Sequence, residues 1–248
     1  MLRPWSDRLI DDCGEPLKRL RPELLCLQPH PYQRLGAPYG PGADPFVLRA
    51  GVVRRLIAAE QQLQAHDQEL RFVIFDAWRP VSVQAFMVDH AVAEECARLG
   101  INLKTAGSAA DIDRAIAEVR HAVGRFWAPP SLDPTTPPPH STGAAVDLTL
   151  AGRDGDLLEM GGEIDAIGPV SEPDHYANTA LAGRDAFAVC VHQRRCLLDR
   201  VLSGQGFVRH PNEWWHFSFG DQLWAWRSGA QEAIYGRCDQ ALSSSDTA

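Results

Sequence analysis

Glu213, Trp214, Trp215 and His216, within HPNEWWHFSFG (210–220), bring a carboxylate, two indoles and an imidazole into consecutive positions. Walled by indoles, a carboxylate and an imidazole would work in a partly dry setting, where the field of a bound cation is less screened than in water. The same segment also reads as a hairpin with aromatic cross-strand pairs and a surface glutamate. A second stretch, HSTGAAVD (140–147), joins a loop histidine, His140, to Asp147 on a strand face opposite Val146, Leu148 and Leu150. Gly143 supplies the backbone freedom for the two groups to converge. Read alone, that pair is equally an exposed histidine and a turn-capping aspartate. Together, His140, Asp147 and His216 make two histidines and one carboxylate, a usual catalytic Zn²⁺ set that leaves a fourth position for water. Zinc would lower that water's pKa toward ~7 and polarise a carbonyl, with Glu213 as the obvious base. Residues three apart in a regular strand face opposite sides. Glu213 must therefore lie in the turn before the strand begins, as Pro211 and Asn212 suggest. Arg79, aimed by Pro80, is a cation that could meet an oxyanion at a scissile carbonyl; a salt bridge with Asp76 accounts for it equally well. His30, His66, His90, His121 and His192 stand beside polar residues and are expected to be solvated.

Strands must carry most of these groups. ELRFVIFDAW (69–78) is rich in β-forming residues, with Phe72, Ile74 and Asp76 on one side and Val73, Phe75 and Ala77 on the other. HSTGAAVDLTL (140–150) ends in the alternation of a half-buried strand, and GFVRHPNEWWHFSFG (206–220) reads as a hairpin turning at His210 to Asn212. Strands are thus expected at about 72–78, 145–150, 206–209 and 214–219. Helices are expected over VLRAGVVRRLIAAEQQLQAHDQ (47–68), where Leu48, Val52, Leu56 and Leu63 recur near helical spacing, and over 81–99, closed by Gly100. Two more fall over 111–126, with Asp111 as N-cap, and about 185–203. Between residues 129 and 139 six prolines exclude helix or central strand. The pattern implies a single α+β domain over 1–237, with a mainly antiparallel central sheet flanked by helices. An irregular segment, 1–46, precedes it and a flexible tail, 238–248, follows.

With 45% hydrophobic and 23% charged residues in 248, the chain has the composition of a globular domain that buries its own core. A net charge of -8 argues against nucleic acid or an anionic membrane surface as partner. No export signal is legible at the N-terminus, and no segment approaches the ~18 consecutive apolar residues of a membrane span. Six cysteines without CxxC pairs read as reduced thiols of a cytoplasmic protein. The oligomeric state is left open.

FDAWRP (75–80), HSTGAAVDLTL (140–150) and EWWHF (213–217), with Gly206 and Phe207 ahead of the last, together resemble the zinc D-alanyl-D-alanine dipeptidases of the VanX type. That family is related to the D,D-carboxypeptidases and the Hedgehog signalling domain. Weaker similarity runs through EMGGEID (159–165) and DHYAN (174–178), so the resemblance covers a catalytic core of about 70–220. It implies His140, Asp147 and His216 as zinc ligands, Glu213 as general base and then acid, and Arg79 as stabiliser of the charge developing on the substrate. It further implies Asp165 as a contact of the substrate ammonium, and Trp214 and Trp215 as walls of a small dry pocket that selects dipeptides. Pro138 departs from the family's serine, which helps hold the ammonium, and Ile164 replaces a phenylalanine. LCLQPHPYQRLGAPYG (25–40) departs from the family's usual N-terminal pattern. A zinc D,D-carboxypeptidase or peptidoglycan amidopeptidase would need an open cleft and exported substrate. A non-enzymatic zinc module would need the ligands but neither Glu213 nor Arg79.

Overall fold

Val146, Leu148 and Leu150 are fully buried and alternate with Asp147 and Thr149, so Ala145–Gly152 is a strand whose aliphatic face closes the main core. The computed structural model describes residues 3–105, 107 and 110–239. Its first segment, expected to be irregular, holds three short strands, β1 (Leu9–Ile10), β2 (Leu17–Arg19) and β3 (Leu25–Cys26), and a one-turn helix, α1 (Pro31–Arg34). The next helix starts later than its periodicity suggests. Val47–Arg49 is an extended strand, β4, that pairs with β2, and α2 covers Ala50–His66. The edge of β2 satisfies these backbone groups, and Val52, Leu56, Ala59 and Leu63 then bury one helical face in the core.

Strand β5 (Leu70–Asp76) leads to α3 (Val81–Arg98) and α4 (Ala110–Val123). Asp111 stands inside the first turn of α4 instead of capping it. Then follow β6 (Ala145–Gly152), the short α5 (Ala177–Leu181) and α6 (Ala186–Ser203), which Asp185 caps by accepting from the Phe187 and Ala188 N–H groups. The chain ends in β7 (Val208–Arg209), β8 (His216–Ser218), α7 (Gln222–Ser228) and β9 (Glu232–Ala233). Cys238 is tied down, its N–H donating to Ser141 O at 2.9 Å and its carbonyl accepting from the Trp78 indole at 2.9 Å. The tail beyond Asp239 lies outside the described residues.

The central sheet has the order β3-β5-β6-β8-β7, antiparallel except for the parallel pair β3 and β5. The expectation of an α+β domain with a mainly antiparallel sheet holds, with β3 making the sheet mixed. One irregularity in it matters for chemistry. Ile74 faces Leu148, yet Asp76 faces Asp147, so Phe75 is an extra residue in β5. Such a bulge re-aims the side chains after it. Asp76, which simple alternation places on the side of Phe72 and Ile74, instead leaves that core and sits beside Asp147, while Ala77 turns into it.

Candidate metal centre and active site

Three residues share one row across the sheet: Asp76 on β5 pairs with Asp147 on β6, which pairs with His216 on β8. Direct cross-strand neighbours have Cβ atoms about 4.5–5.5 Å apart, so this row alone converges two carboxylates and an imidazole. His140 arrives from the turn Pro139–Thr142, which Gly143 ends in the left-handed conformation with φ 69°. That turn is bound to the end of β5. The Arg79 N–H donates to His140 O at 3.3 Å, and His140 Nδ1 donates to Ala77 O at 2.7 Å.

Because Nδ1 spends its proton on Ala77, His140 presents the lone pair of Nε2, which lies 3.2 Å from Asp147 Oδ2 and 3.2 Å from His216 Nδ1. His216 Nδ1 is 3.0 Å from Asp147 Oδ1, and its Nε2 is 3.3 Å from Ser218 Oγ. One ligand atom from each of His140, Asp147 and His216 lies within 4.8 Å of the others, and all three residues are buried. Asp147 Oδ1 finds no hydrogen-bond partner. Electron-rich atoms facing one another out of water, one of them orphaned, fit a divalent cation, and two imidazoles with one carboxylate suit zinc. Burial pushes the Asp147 carboxyl up, but His140 and His216 outweigh it and hold it below the usual range.

Glu213 lies in the turn before β8, as its spacing from His216 requires. That turn is longer than expected: the His210 N–H still donates to His216 O, and the Trp214 N–H to Ser171 O. Glu213 Oε2 is 3.6 Å from His216 Nδ1, and Oε1 is 3.4 Å from His210 Nδ1. Since His210 Nδ1 accepts from the Asn212 N–H, it is no donor to that carboxylate, and Glu213 Oε1 has no hydrogen-bond partner. Burial first, then the charge of Asp147, raise the Glu213 carboxyl well above its ordinary range. Burial, then His216 and Arg3, push His210 down.

Arg79 makes the salt bridge with Asp76 that its sequence position allows, and it borders the same cavity. Its Nη2 and Nε lie 2.7 and 3.0 Å from Asp76 Oδ2, its Nη1 donates to Gln84 Oε1 at 2.8 Å, and Nη2 is also 3.5 Å from Asp147 Oδ2. Asp76 is the hub behind it, also bonded to His30 Nε2 at 3.1 Å and Tyr39 OH at 3.2 Å. His30 is therefore not solvated as expected. It is 1% exposed because Asp76 and the Tyr32 N–H satisfy its two nitrogens.

Asp165 borders the same cavity, accepting from Tyr32 OH at 2.8 Å. Burial, then Asp147, push its carboxyl up to about 7. Trp215 also lines this cavity, whereas Trp214 does not: it packs against Arg195, 5.1 Å from the ring centroid, and borders a separate groove with Thr149 and Met160. Adjacent side chains near a strand diverge to opposite sides, so both indoles cannot wall one pocket. Pro138 faces an outer groove with Ser131 and Gln222, while Pro139 borders the metal cavity. Sequence reasoning missed His210, Tyr32, Gln84, Arg3 and Trp5. His210 carried a signal, as its ring precedes the EWWH segment by only three residues.

The sequence profile of the D-Ala-D-Ala dipeptidase family of peptidases matches residues 26–233. The chain belongs to this family. It is 42% identical to a D-alanyl-D-alanine dipeptidase of Synechocystis sp. over 96% of this chain and 98% of that one. A D-alanyl-D-alanine dipeptidase of Escherichia coli is 36% identical over 35% of this chain and 40% of its own length. Among solved structures, the vancomycin-resistance D,D-pentapeptidase VanY, determined with Zn(II), matches at 16% identity and a TM-score of 0.44, covering 74% of this chain and 80% of that one. Membership makes the chain a peptidase. Among the described residues no helix is long and apolar enough to cross a membrane.

Proposed function

We propose that this peptidase hydrolyses a small free dipeptide, D-alanyl-D-alanine foremost, with zinc held by His140, Asp147 and His216. The observation that carries the reading is the position of Glu213, a buried carboxylate with an orphaned oxygen, 3.6 Å from a ligand nitrogen of His216. When bound, zinc activates water and polarises the scissile carbonyl. Glu213, its proton affinity raised by burial, takes the water's proton and returns it to the amine that leaves, so that one water and one dipeptide become two amino acids. Arg79, locked by Asp76 and Gln84, offsets negative charge gathering on the carbonyl oxygen without any reorganisation of its own. Asp165, oriented by Tyr32, receives the substrate ammonium, and Trp215 helps exclude water. The family serine's contact is absent at Pro138, so Asp165 carries this end of the substrate. Six free cysteines support a reducing, cytoplasmic setting.

The test is release of free amino acids by zinc-loaded protein from D-Ala-D-Ala, from L,D and L,L dipeptides, and from a blocked tripeptide. Glu213→Gln is expected to keep its zinc and lose roughly 100- to 10,000-fold in turnover. Near-normal turnover would remove Glu213 from the mechanism, and cleavage of the blocked tripeptide would overturn the dipeptide reading.

A further inference from the structure

The metal cavity has a wall that neither the motifs nor the zinc chemistry uses. Arg3 and Trp5 border it together with Glu213, His210 and Trp127. The segment that carries them is held in place. The Arg3 N–H donates to Ser6 Oγ at 3.0 Å, Gln222 Nε2 donates to Arg8 O, and Trp5 stands edge-on to the His210 ring at 5.5 Å between centroids. The guanidinium is anchored too, Nη1 donating to Arg125 O at 3.0 Å and Nη2 to Trp127 O at 2.9 Å.

Those anchors are neutral. Among the described residues no carboxylate lies within ion-pair distance of Arg3, in contrast to Arg79, which Asp76 neutralises at 2.7 Å. A desolvated cation without a counter-ion is costly unless an anion comes to it. An arginine has five N–H donors, and the two spent on carbonyls leave others for the planar, two-oxygen geometry of a carboxylate. Asp165, the anionic group proposed for the ammonium, has other neighbours, Tyr32 and Arg79, whereas Arg3 acts on Glu213 and His210. Beside the groups gathered at the proposed metal site, the cavity thus offers a guanidinium at Arg3 and a carboxyl at Asp165 on different walls, the complement of a zwitterionic dipeptide.

We propose that Arg3 recognises the free C-terminal carboxylate of the substrate, and so makes the enzyme select dipeptides with an unblocked C-terminus. The assignment rests on the dipeptide reading above and extends it to a segment outside the motifs.

Calorimetry on zinc-loaded Glu213→Gln protein, which should bind without cleaving, tests it with D-Ala-D-Ala and its C-terminal amide. The free dipeptide should bind roughly 10- to 100-fold tighter than the amide, the range for a charge-assisted hydrogen bond. Arg3→Met should erase that advantage and leave the amide's affinity within about twofold, and Arg3→Lys should restore part of it. Equal loss for both ligands would make Arg3 only a tether for its segment and overturn the assignment. So would an undiminished preference for the free acid, or no binding of either ligand. The two readings can fail separately. Arg3-dependent carboxylate binding by native protein that cleaves nothing keeps Arg3 and ends the peptidase mechanism; cleavage of D-Ala-D-Ala with acid and amide bound alike, whether or not Arg3 is present, does the reverse.

Discussion

Asp165 is the one non-glycine described residue with a positive φ, 69°, and its carboxyl is held up near about 7 by burial and by Asp147. Aspartate visits this conformation more readily than most residues, but the position still carries strain. In metal-free protein the folded chain keeps a proton there that the unfolded chain releases near the ordinary 3.8. The folded state therefore binds more protons between those values, and stability from this group falls as pH rises from about 3.8 to about 7, then levels off. Asp165→Asn should gain stability relative to native protein by about 2 kcal/mol between pH 5 and pH 8, allowing for its partial exposure. Urea unfolding of metal-free protein at both pH values measures this, and a constant difference would refute the assigned shift. At this scale the sequence pointed to His140, Asp147 and His216 through their types and spacing, and the fold brings them together. His30 escaped it because a histidine between polar neighbours looks solvated until Asp76, 46 positions away in the chain, is seen beside it.

The elements work by register. The bulge at Phe75 moves Asp76 into the row of Asp147 and His216, and the turn Pro139–Thr142 delivers His140 to the same point. Gly143 ends that turn with φ 69°, and a Cβ there would meet Leu17 Cδ2 at 2.5 Å. Gly143→Ala should cost about 1–3 kcal/mol through backbone strain. Because the displaced turn holds His140, a ligand of the proposed zinc site, zinc affinity should fall with it. Denaturation and metal competition on the same variant check both, and unchanged zinc affinity would detach the turn from the metal site. Alternation and helical period revealed β5, β6, α2, α3 and α6 closely. They misplaced the start of α2, because Val47–Arg49 takes its hydrogen bonds from β2, a partner no local window contains.

Across the whole molecule, the site is a junction. Segments near residues 3–5, 79, 139–147, 165 and 210–216 meet around one cavity, which Asp147 and Glu213 line, each with a carboxyl oxygen that has no hydrogen-bond partner. A divalent cation that binds only this folded arrangement must stabilise the entire domain. Zinc at about 1,000 times its dissociation constant should add about 4 kcal/mol, raising Tm by about 10 °C for a domain of this size. Thermal scans with zinc and with a chelator measure it. His140→Ala should abolish most of the difference, and an equal zinc response in that variant would place the metal elsewhere. The residue order alone was enough for the family, for the candidate cluster of His140, Asp147 and His216 and for the alternation that builds the sheet, because these depend on side-chain type and on periods within a few residues. Folding settled the bulge that turns Asp76 toward Asp147, the burial of His30, the divergence of Trp214 from Trp215 and the closing of the cavity by Arg3. Each of these depends on which distant segment supplies the charge, the hydrogen bond or the packing surface, and no local pattern in a chain encodes its partner.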